Sequence, residues 1–380
     1  MPENIGLNLT SVPAQKAGVG FLILNLSEQL IKLFPRKKFF LYTSQDKSFP
    51  ELDRANCQQH HIAPNRHALR TLWEQVFFPR VLSTHNIDVL INPHYVSILL
   101  ADNRMRQLTV VPDLTYQRFP FQRALSKSLY FSIFIPFSLR KSSTILAISE
   151  FTKKEILEYY PFVAPEKIRV MHLGLGNRFA PDTEERGGAE AIMQRFSLSP
   201  KKYFISVGII EPTKNHVRNL KAFVQVRRKH PDLKYLFTGR KGWSGRGRKE
   251  YQELRAIVRR HALEKHVVFT DYLDPESLSV LFSNALGLLY TSLNEGFGIP
   301  ILEAMSLSVP VITSNISSMP EVAGDAAMIT DPYSVPDIAD CMNRLVTDRE
   351  QVSALIGKGR ERLALFSWEK SAEAIKDLLQ

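Results

Sequence analysis

Glu295 and Glu303 stand with seven residues between them in Glu295-Gly296-Phe297-Gly298-Ile299-Pro300-Ile301-Leu302-Glu303-Ala304-Met305. Two carboxylates, two glycines and a proline in that order are the residue types of a ligand-binding turn that opens a helix. Glycine lets a ligand approach the backbone closely, and proline suits the first helical turn, where its missing N–H is no loss. The free amides of such a turn and the positive end of the helix dipole attract an anion. The amides around Phe297, Gly298 and Ile299 could therefore carry a diphosphate, while Glu303 accepts hydrogen bonds from sugar hydroxyls. The alternative is a solvated acidic turn ahead of a buried helix.

A second stretch, Ser206-Val207-Gly208-Ile209-Ile210-Glu211-Pro212-Thr213-Lys214-Asn215-His216, reads as a strand, a turn containing Gly208 and a helix start. It is another candidate anion site, with Lys214 as its cation. Arg218 follows Lys214 by four residues, a spacing that can put both on one helix face. Near the N-terminus, Lys16-Ala17-Gly18-Val19-Gly20-Phe21 places Gly18 and Gly20 in a turn ahead of a helix, which either admits a ligand or only relieves backbone strain. Asn92-Pro93-His94-Tyr95 follows a predicted strand, so His94 either lines a ligand cleft or is a satisfied structural histidine.

The elements that must position these residues alternate as short apolar runs and helical patterns, the mark of βα units and mostly parallel sheets. In the first half strands are predicted at Phe39–Thr43, Ile87–Asn92, Gln107–Val111, Ser143–Ile148 and Ile168–Leu173, with helices at Phe21–Phe34, Lys127–Arg140 and Glu150–Tyr160. Apolar periodicity weakens between Phe179 and Lys202, which sets a domain boundary. A second series follows, with strands at Tyr203–Val207, Tyr235–Thr238, Val267–Thr270, Leu286–Thr291 and Val309–Thr313. Its helices fall at His216–Lys229, Lys249–His261, Pro275–Asn284 and Pro300–Leu307. The expected fold class is α/β, with two Rossmann-like halves of similar size facing one another across a central cleft, a common place for ligands.

A chain of 380 residues with 44% hydrophobic content suits two globular domains and argues against disorder. Its two cysteines, Cys57 and Cys341, are too few and too far apart to suggest a disulfide framework or a metal knuckle, which fits a reducing, cytoplasmic compartment. The N-terminus lacks a basic region followed by an apolar run and a cleavage site, and no stretch approaches the roughly 18 apolar residues of a membrane span. Membrane contact would have to be peripheral, at the inner face. The formal charge of +11 implies anionic partners. No zinc-finger spacing, aromatic RNA-binding signature or heptad-linked basic helix is present, so nucleic acid is not expected. Positive charge concentrates in Arg240-Lys241-Gly242-Trp243-Ser244-Gly245-Arg246-Gly247-Arg248-Lys249, read as a Gly-rich loop that either touches a phosphate-bearing acceptor or an anionic membrane, or is simply solvated.

The Glu295–Glu303 segment resembles the Glu-x7-Glu signature of the retaining glycosyltransferases of family 4, the GT-B group that uses nucleotide-activated sugars. Ser308-Val309-Pro310-Val311-Ile312-Thr313-Ser314 and Met319-Pro320-Glu321-Val322-Ala323-Gly324-Asp325-Ala326-Ala327 resemble that family too. The stretch around Lys214 is similar to the family's Gly-Arg-x-x-Glu-Pro-Arg-Lys-Asn, in which an arginine and a lysine neutralise the donor diphosphate. Lys214 matches the lysine, Ile209 stands at the arginine position and Thr213 at a commonly basic one. A missing arginine removes about 1.5–3 kcal/mol of charge-assisted interaction unless Arg218 substitutes; otherwise Arg218 is an ordinary helix charge. The Gly18–Gly20 turn resembles the family's turn before the first helix, with Phe21 where many relatives carry arginine. Trp73-Glu74-Gln75-Val76-Phe77-Phe78-Pro79-Arg80 and the His94 segment are similar to stretches of mannosyltransferase-like relatives. In Val110-Val111-Pro112-Asp113, proline replaces the histidine that relatives place before the aspartate to contact the transferred sugar, and proline donates no hydrogen bond. Ala147-Ile148-Ser149-Glu150-Phe151-Thr152-Lys153 matches the family, with Ser149 as a helix cap.

The resemblance implies GT-B architecture. Residues 1–180 would form an acceptor domain that includes Gly18, Gly20, His94 and Asp113, joined by a returning helix at 368–380; residues 181–367 would hold the donor. It implies a retaining, metal-independent hexosyltransferase, without a cofactor, acting from a nucleotide diphosphate sugar, with GDP-mannose favoured, on a glycan or lipid-linked acceptor. Lys214 and Glu295 are the expected catalytic residues, Glu303 the ribose ligand, and Gly208, Arg218, Phe297, Gly298 and Ile299 the remaining donor contacts. The departures at Pro112, Ile209 and Thr213 leave open a catalytically impaired GT-B protein that serves as a binding or scaffold subunit. A sugar phosphorylase on the same fold is the third reading, and it would need a cofactor lysine.

Overall fold

The computed structural model describes residues 3–12, 19–45, 47–119, 125–176, 186–240 and 245–380. The chain divides into two compact units, residues 1–174 with 366–380, and residues 175–365. The first contains β1 (Asn4–Asn8), α1 (Val19–Leu33), β2 (Lys38–Ser44), β3 (Cys57–Ala63), α2 (His67–Val76), α3 (Phe78–Thr84), β4 (Val89–Asn92), β5 (Arg106–Val111), α4 (Thr115–Arg118), α5 (Leu125–Lys141), β6 (Thr144–Ala147), α6 (Glu150–Tyr159) and β7 (Ile168–Val170). The second contains α7 (Arg186–Arg195), β8 (Tyr203–Val207), α8 (His216–Arg227), β9 (Lys234–Thr238), α9 (Gly245–Arg260), β10 (Val267–Phe269), α10 (Pro275–Ser283), β11 (Gly287–Tyr290), α11 (Ile299–Ser306), β12 (Val311–Ser314), α12 (Met319–Ala323), β13 (Met328–Thr330), α13 (Val335–Thr347) and α14 (Arg349–Leu363). A short α15 (Trp368–Glu373) belongs to the first unit.

Both sheets are parallel throughout, in the orders β3-β2-β1-β4-β5-β6-β7 and β10-β9-β8-β11-β12-β13. Each strand series runs outward from β1 or β8 and then crosses back to its other side. The strand order therefore reverses between β1 and β4, and again between β8 and β11. Connections leaving the carboxyl ends of these neighbours diverge to opposite faces of the sheet and open a crevice, where doubly wound folds bind ligands.

The central strands follow from composition. Parallel strands covered by helices on both faces read as unbroken apolar runs, and β4, β11 and β12 are buried at every residue. Three strands escape that reading. In β1, Asn4-Ile5-Gly6-Leu7-Asn8 is short and flanked by asparagines; β3, Cys57-Gln58-Gln59-His60-His61-Ile62-Ala63, is a polar edge strand; β13 has only three residues. Helices α2, α3, α4, α7, α12, α13 and α14 also lie where no helix was predicted. α13 shows why: Ser334 caps it by accepting from the Asp337 amide at 3.3 Å, and Ile338, Met342 and Leu345 bury a helical stripe broken by polar neighbours.

The basic stretch read as a Gly-rich loop requires correction. Gly245–Lys249 form the opening of α9, whose buried Leu254, Ile257 and Val258 set a helical period that arginine and lysine continue readily toward the N-terminus. Residues 241–244 lie outside the described residues. Gly20, expected in a turn, is the second residue of α1, and Gly18 lies outside the described residues.

Candidate functional site

Two turns at the carboxyl ends of β8 and β11 build the site in the second unit. After β8, Gly208 takes φ +130°, a conformation that side-chain-bearing residues avoid. Gly239, after the neighbouring β9, takes φ +131°, and a Cβ there would collide with the Gly208 carbonyl. The two glycines thus let the turns after β8 and β9 press together. A short 3₁₀ turn, Pro212–Lys214, follows, and Asn215 at φ +60° redirects the chain into α8. Asn215 can hold that left-handed conformation because its side-chain Nδ2 donates to the Pro332 carbonyl at 2.7 Å and to Thr291 Oγ1 at 3.3 Å.

Lys214 Nζ meets Glu295 Oε1 at 2.5 Å, with side-chain exposures of 22% and 15%. The ammonium also lies 5.4 Å from the centre of the Tyr290 ring. Tyr290, the last residue of β11, is buried, and its hydroxyl hydrogen-bonds Glu295. Burial first, and then the carboxylates of Glu295 and Glu303, push that phenol far above its ordinary range, so it remains a donor. Glu295 is therefore held between a cation and a hydroxyl.

The Glu295–Gly298 turn is anchored from the two residues just before α12. Ser317 Oγ accepts from the Glu295 amide at 2.9 Å and donates to the Glu295 carbonyl at 2.7 Å. Ser318 Oγ lies 2.9 Å from the same carbonyl and 2.7 Å from that of Phe297. Gly298 caps α11 at φ +114°, where a Cβ would approach the Ile301 side chain at 3.3 Å. Phe297 is buried, and Ile299 and Pro300 open the helix half-exposed. Glu303, one turn into α11, is 7% exposed. Together these groups offer helix-start amides, one ammonium and two carboxylates, the inventory needed to hold an anion joined to a polyol.

Arg218 is committed to other partners than the Lys214–Glu295 pair. Its guanidinium donates to Asn215 Oδ1 at 3.0 Å and lies 5.3 Å from the Tyr333 ring centre. Ile209 is 47% exposed on the turn after β8, whereas Thr213 is buried, its carbonyl accepting from the Leu293 amide at 2.7 Å. Sequence reasoning missed Tyr290, Ser317 and Ser318. Serines directly before Met319-Pro320-Glu321 were a usable signal, but nothing in the order of residues brings Tyr290 to Glu295.

In the first unit, the candidate residues follow strands at the β1/β4 reversal. Asn8 closes β1 and donates to Asn92 Oδ1 at 3.4 Å; Asn92 closes β4 and donates to Gln107 Oε1 at 2.9 Å. His94 follows β4, half-buried and edge-on to the Tyr95 ring at 4.6 Å. Asp113 follows the adjacent β5 and accepts the Thr115 amide at 2.8 Å, while Pro112 is buried. Behind that turn, Glu155 of α6 is 3% exposed, 3.6 Å from Arg118 Nη1, and burial raises its pKa to about 7. Glu74 of α2 hydrogen-bonds Thr10, just past β1, and burial raises its pKa as well. Neither carboxylate was singled out from sequence. Among the described residues, no group of three or more His, Cys, Asp or Glu is placed to hold a metal ion.

Comparison with known proteins bears on both units. A family described as "Glycosyl transferases group 1" matches residues 189–362, and "Glycosyltransferase Family 4" matches residues 17–175. O-antigen chain mannosyltransferase B of Escherichia coli is 29% identical over 73% of this chain and 70% of that protein. The serotype-specific mannosyltransferase WbdA of Escherichia coli is 27% identical over 61% of this chain, which spans 28% of that longer protein. A glycosyltransferase structure from Rickettsia africae superposes with TM-score 0.75 at 16% identity, covering 100% of this chain and 98% of the other. Anabaena Alr3699/HepE in complex with UDP and glucose superposes with TM-score 0.76 at 15% identity, covering 100% and 99%.

Proposed function

Since the chain belongs to the glycosyltransferases of group 1 and family 4, we propose that it is a retaining, metal-independent hexosyltransferase. It moves mannose from GDP-mannose to a growing glycan or a lipid-linked saccharide. The observation that carries this reading is the Lys214–Glu295 pair, set between the turn after β8 and the Gly298 turn that opens α11. Mannose and the glycan acceptor come from what the relatives are named for.

Breaking the anomeric bond sends an electron pair, and thus negative charge, onto the leaving diphosphate. Lys214 and the amides around Phe297, Gly298 and Ile299 meet that charge, so no bound metal is required. Glu295 neutralises Lys214 while the site is empty. An arriving diphosphate competes for the ammonium, leaving the carboxylate, still fixed by Tyr290, directed at the sugar. Glu303 accepts the ribose hydroxyls. The first unit binds the acceptor near His94 and Asp113.

Calorimetric titration with GDP, UDP and their hexose conjugates should give tightest binding to GDP-mannose. Turnover should continue in EDTA, and the product anomer read by NMR should keep the donor's configuration. Failure of every nucleotide sugar to bind would overturn the reading, and inversion or a strict metal requirement would overturn those parts of it. The exposed Ile209 and buried Thr213, where relatives carry basic residues, favour the scaffold alternative, for which bound donor would release no nucleotide.

A further inference from the structure

Helix α5 buries Phe131, Ile135 and Leu139 in the core of the first unit, at 4% exposure or less. Its opposite side is unusual. Leu129, Ile133 and Phe137, spaced by four, are 63%, 47% and 55% exposed. A helix facing water ordinarily puts polar side chains there, and single exposed hydrophobes need no explanation, but three on one line form a face. At 1.5 Å per residue the line runs about 12 Å along the helix. It continues into the last turn of the helix, where the exposed Arg140 stacks its guanidinium 3.8 Å from the centre of the Phe162 ring, itself 43% exposed. Six of the seven charged residues from Arg106 to Lys141 are basic.

Among the described residues, no helix is long and apolar enough to cross a membrane. An apolar line that ends on an exposed arginine, in a stretch whose charge is mostly basic, suits a helix lying flat in the lipid interface. Its aliphatic and aromatic side chains enter the acyl boundary while guanidinium groups stay among headgroup phosphates. A second copy of this chain fits the same face poorly, because a two-fold contact would bring basic surfaces together. We propose that the Leu129–Ile133–Phe137 face of α5, extended by Arg140 and Phe162, seats the protein on the surface of an anionic lipid bilayer. This goes beyond the glycosyl-transfer reading and does not depend on which donor is used.

Co-sedimentation tests it with vesicles of phosphatidylglycerol and phosphatidylethanolamine, against vesicles of phosphatidylcholine alone. The full chain should bind the anionic vesicles at least about tenfold more tightly, and less so as salt rises from about 0.1 to 0.5 M. The triple variant Leu129→Ser/Ile133→Ser/Phe137→Ser should lose most of that binding while keeping the wild-type melting curve and donor turnover on a water-soluble acceptor. Arg140→Glu should weaken binding to anionic vesicles alone. Equal binding to both vesicle types, or undiminished binding by the triple variant, would overturn the proposal. So would binding that survives that variant but falls with Leu69→Ser/Leu72→Ser, which would move the seat to the exposed side of α2. A wild-type dimer that the triple variant dissociates, without vesicle binding, would assign the face to self-association. Vesicle binding is measured without donor, so its outcome is separate from that of the donor titration.

Discussion

Glu295 and Glu303 have the same side chain and different surroundings, and this should separate their roles. Glu295 is fixed by Lys214 and Tyr290 where the reacting sugar is proposed to lie, whereas Glu303 sits inside α11. Glu303→Ala should raise the donor Kd about ten- to a hundredfold, the effect of losing one charged acceptor. Glu295→Ala should lower kcat by a similar factor with a smaller change in donor affinity. Equal profiles for the two variants would place the sugar wrongly. Glu155 predicts a pH effect. Its pKa rises to about 7 in the fold, chiefly through burial, against about 4.3 in an unfolded chain. Between these values the native state holds more protons, so stability is lost as pH rises through the window and levels off above it. Glu155→Gln should remove this slope, worth on the order of 2 kcal/mol. Melting curves at pH 5 and pH 8 that shift equally in both proteins would contradict it.

At the scale of elements, the proposed donor site depends on turns more than on helices or strands. Gly208 and Gly239 both need positive φ, and their backbones touch, so the turn after β8 is shaped by the turn after β9. Gly239→Ala should destabilise the second unit by about 1–3 kcal/mol through backbone strain and collision with the Gly208 carbonyl. It should also weaken donor binding, although residue 239 carries no side chain toward the ligand. Unchanged melting and donor affinity would show that the turn tolerates the displacement. The local rules that revealed α8, α10 and α11 were apolar period and, for α10 and α11, a helix-start proline. Those rules passed over β3 because its polar side chains suit an edge strand, which packing places beside β2.

At the scale of the whole molecule, the end of the chain completes the unit that its beginning starts. Trp368 is 3% exposed and lies edge-on to Phe21 of α1 at 6.3 Å. Ser371 donates to the His172 carbonyl at 2.6 Å, Arg169 pairs with Asp377 at 2.8 Å, and a Cβ on Gly174 would collide with the Trp368 amide. Trp368→Ala should cost about 3–5 kcal/mol of the first unit's stability, as large aromatic truncations in packed interiors do. Denaturant unfolding would check this, and a loss below about 1 kcal/mol would mean that the segment is only loosely held.

What the sequence determined by itself was local or periodic: the alternation of strands and helices, the glycine turns at Gly208 and Gly298, and the spacing of Glu295 from Glu303. These were legible because strand period, glycine freedom and helix capping act within a few residues. Tertiary structure decided what required distant segments to meet. It brought Tyr290 and Lys214 together on Glu295, clamped that turn with Ser317 and Ser318, and buried Glu155 behind the Asp113 turn. It also decided which side of α5 was left uncovered, since an apolar helix sequence does not say which of its faces will find a partner. Burial and electrostatic environment belong to the arrangement of elements, and that arrangement follows from the strand order around β1/β4 and β8/β11 rather than from any stretch of sequence alone.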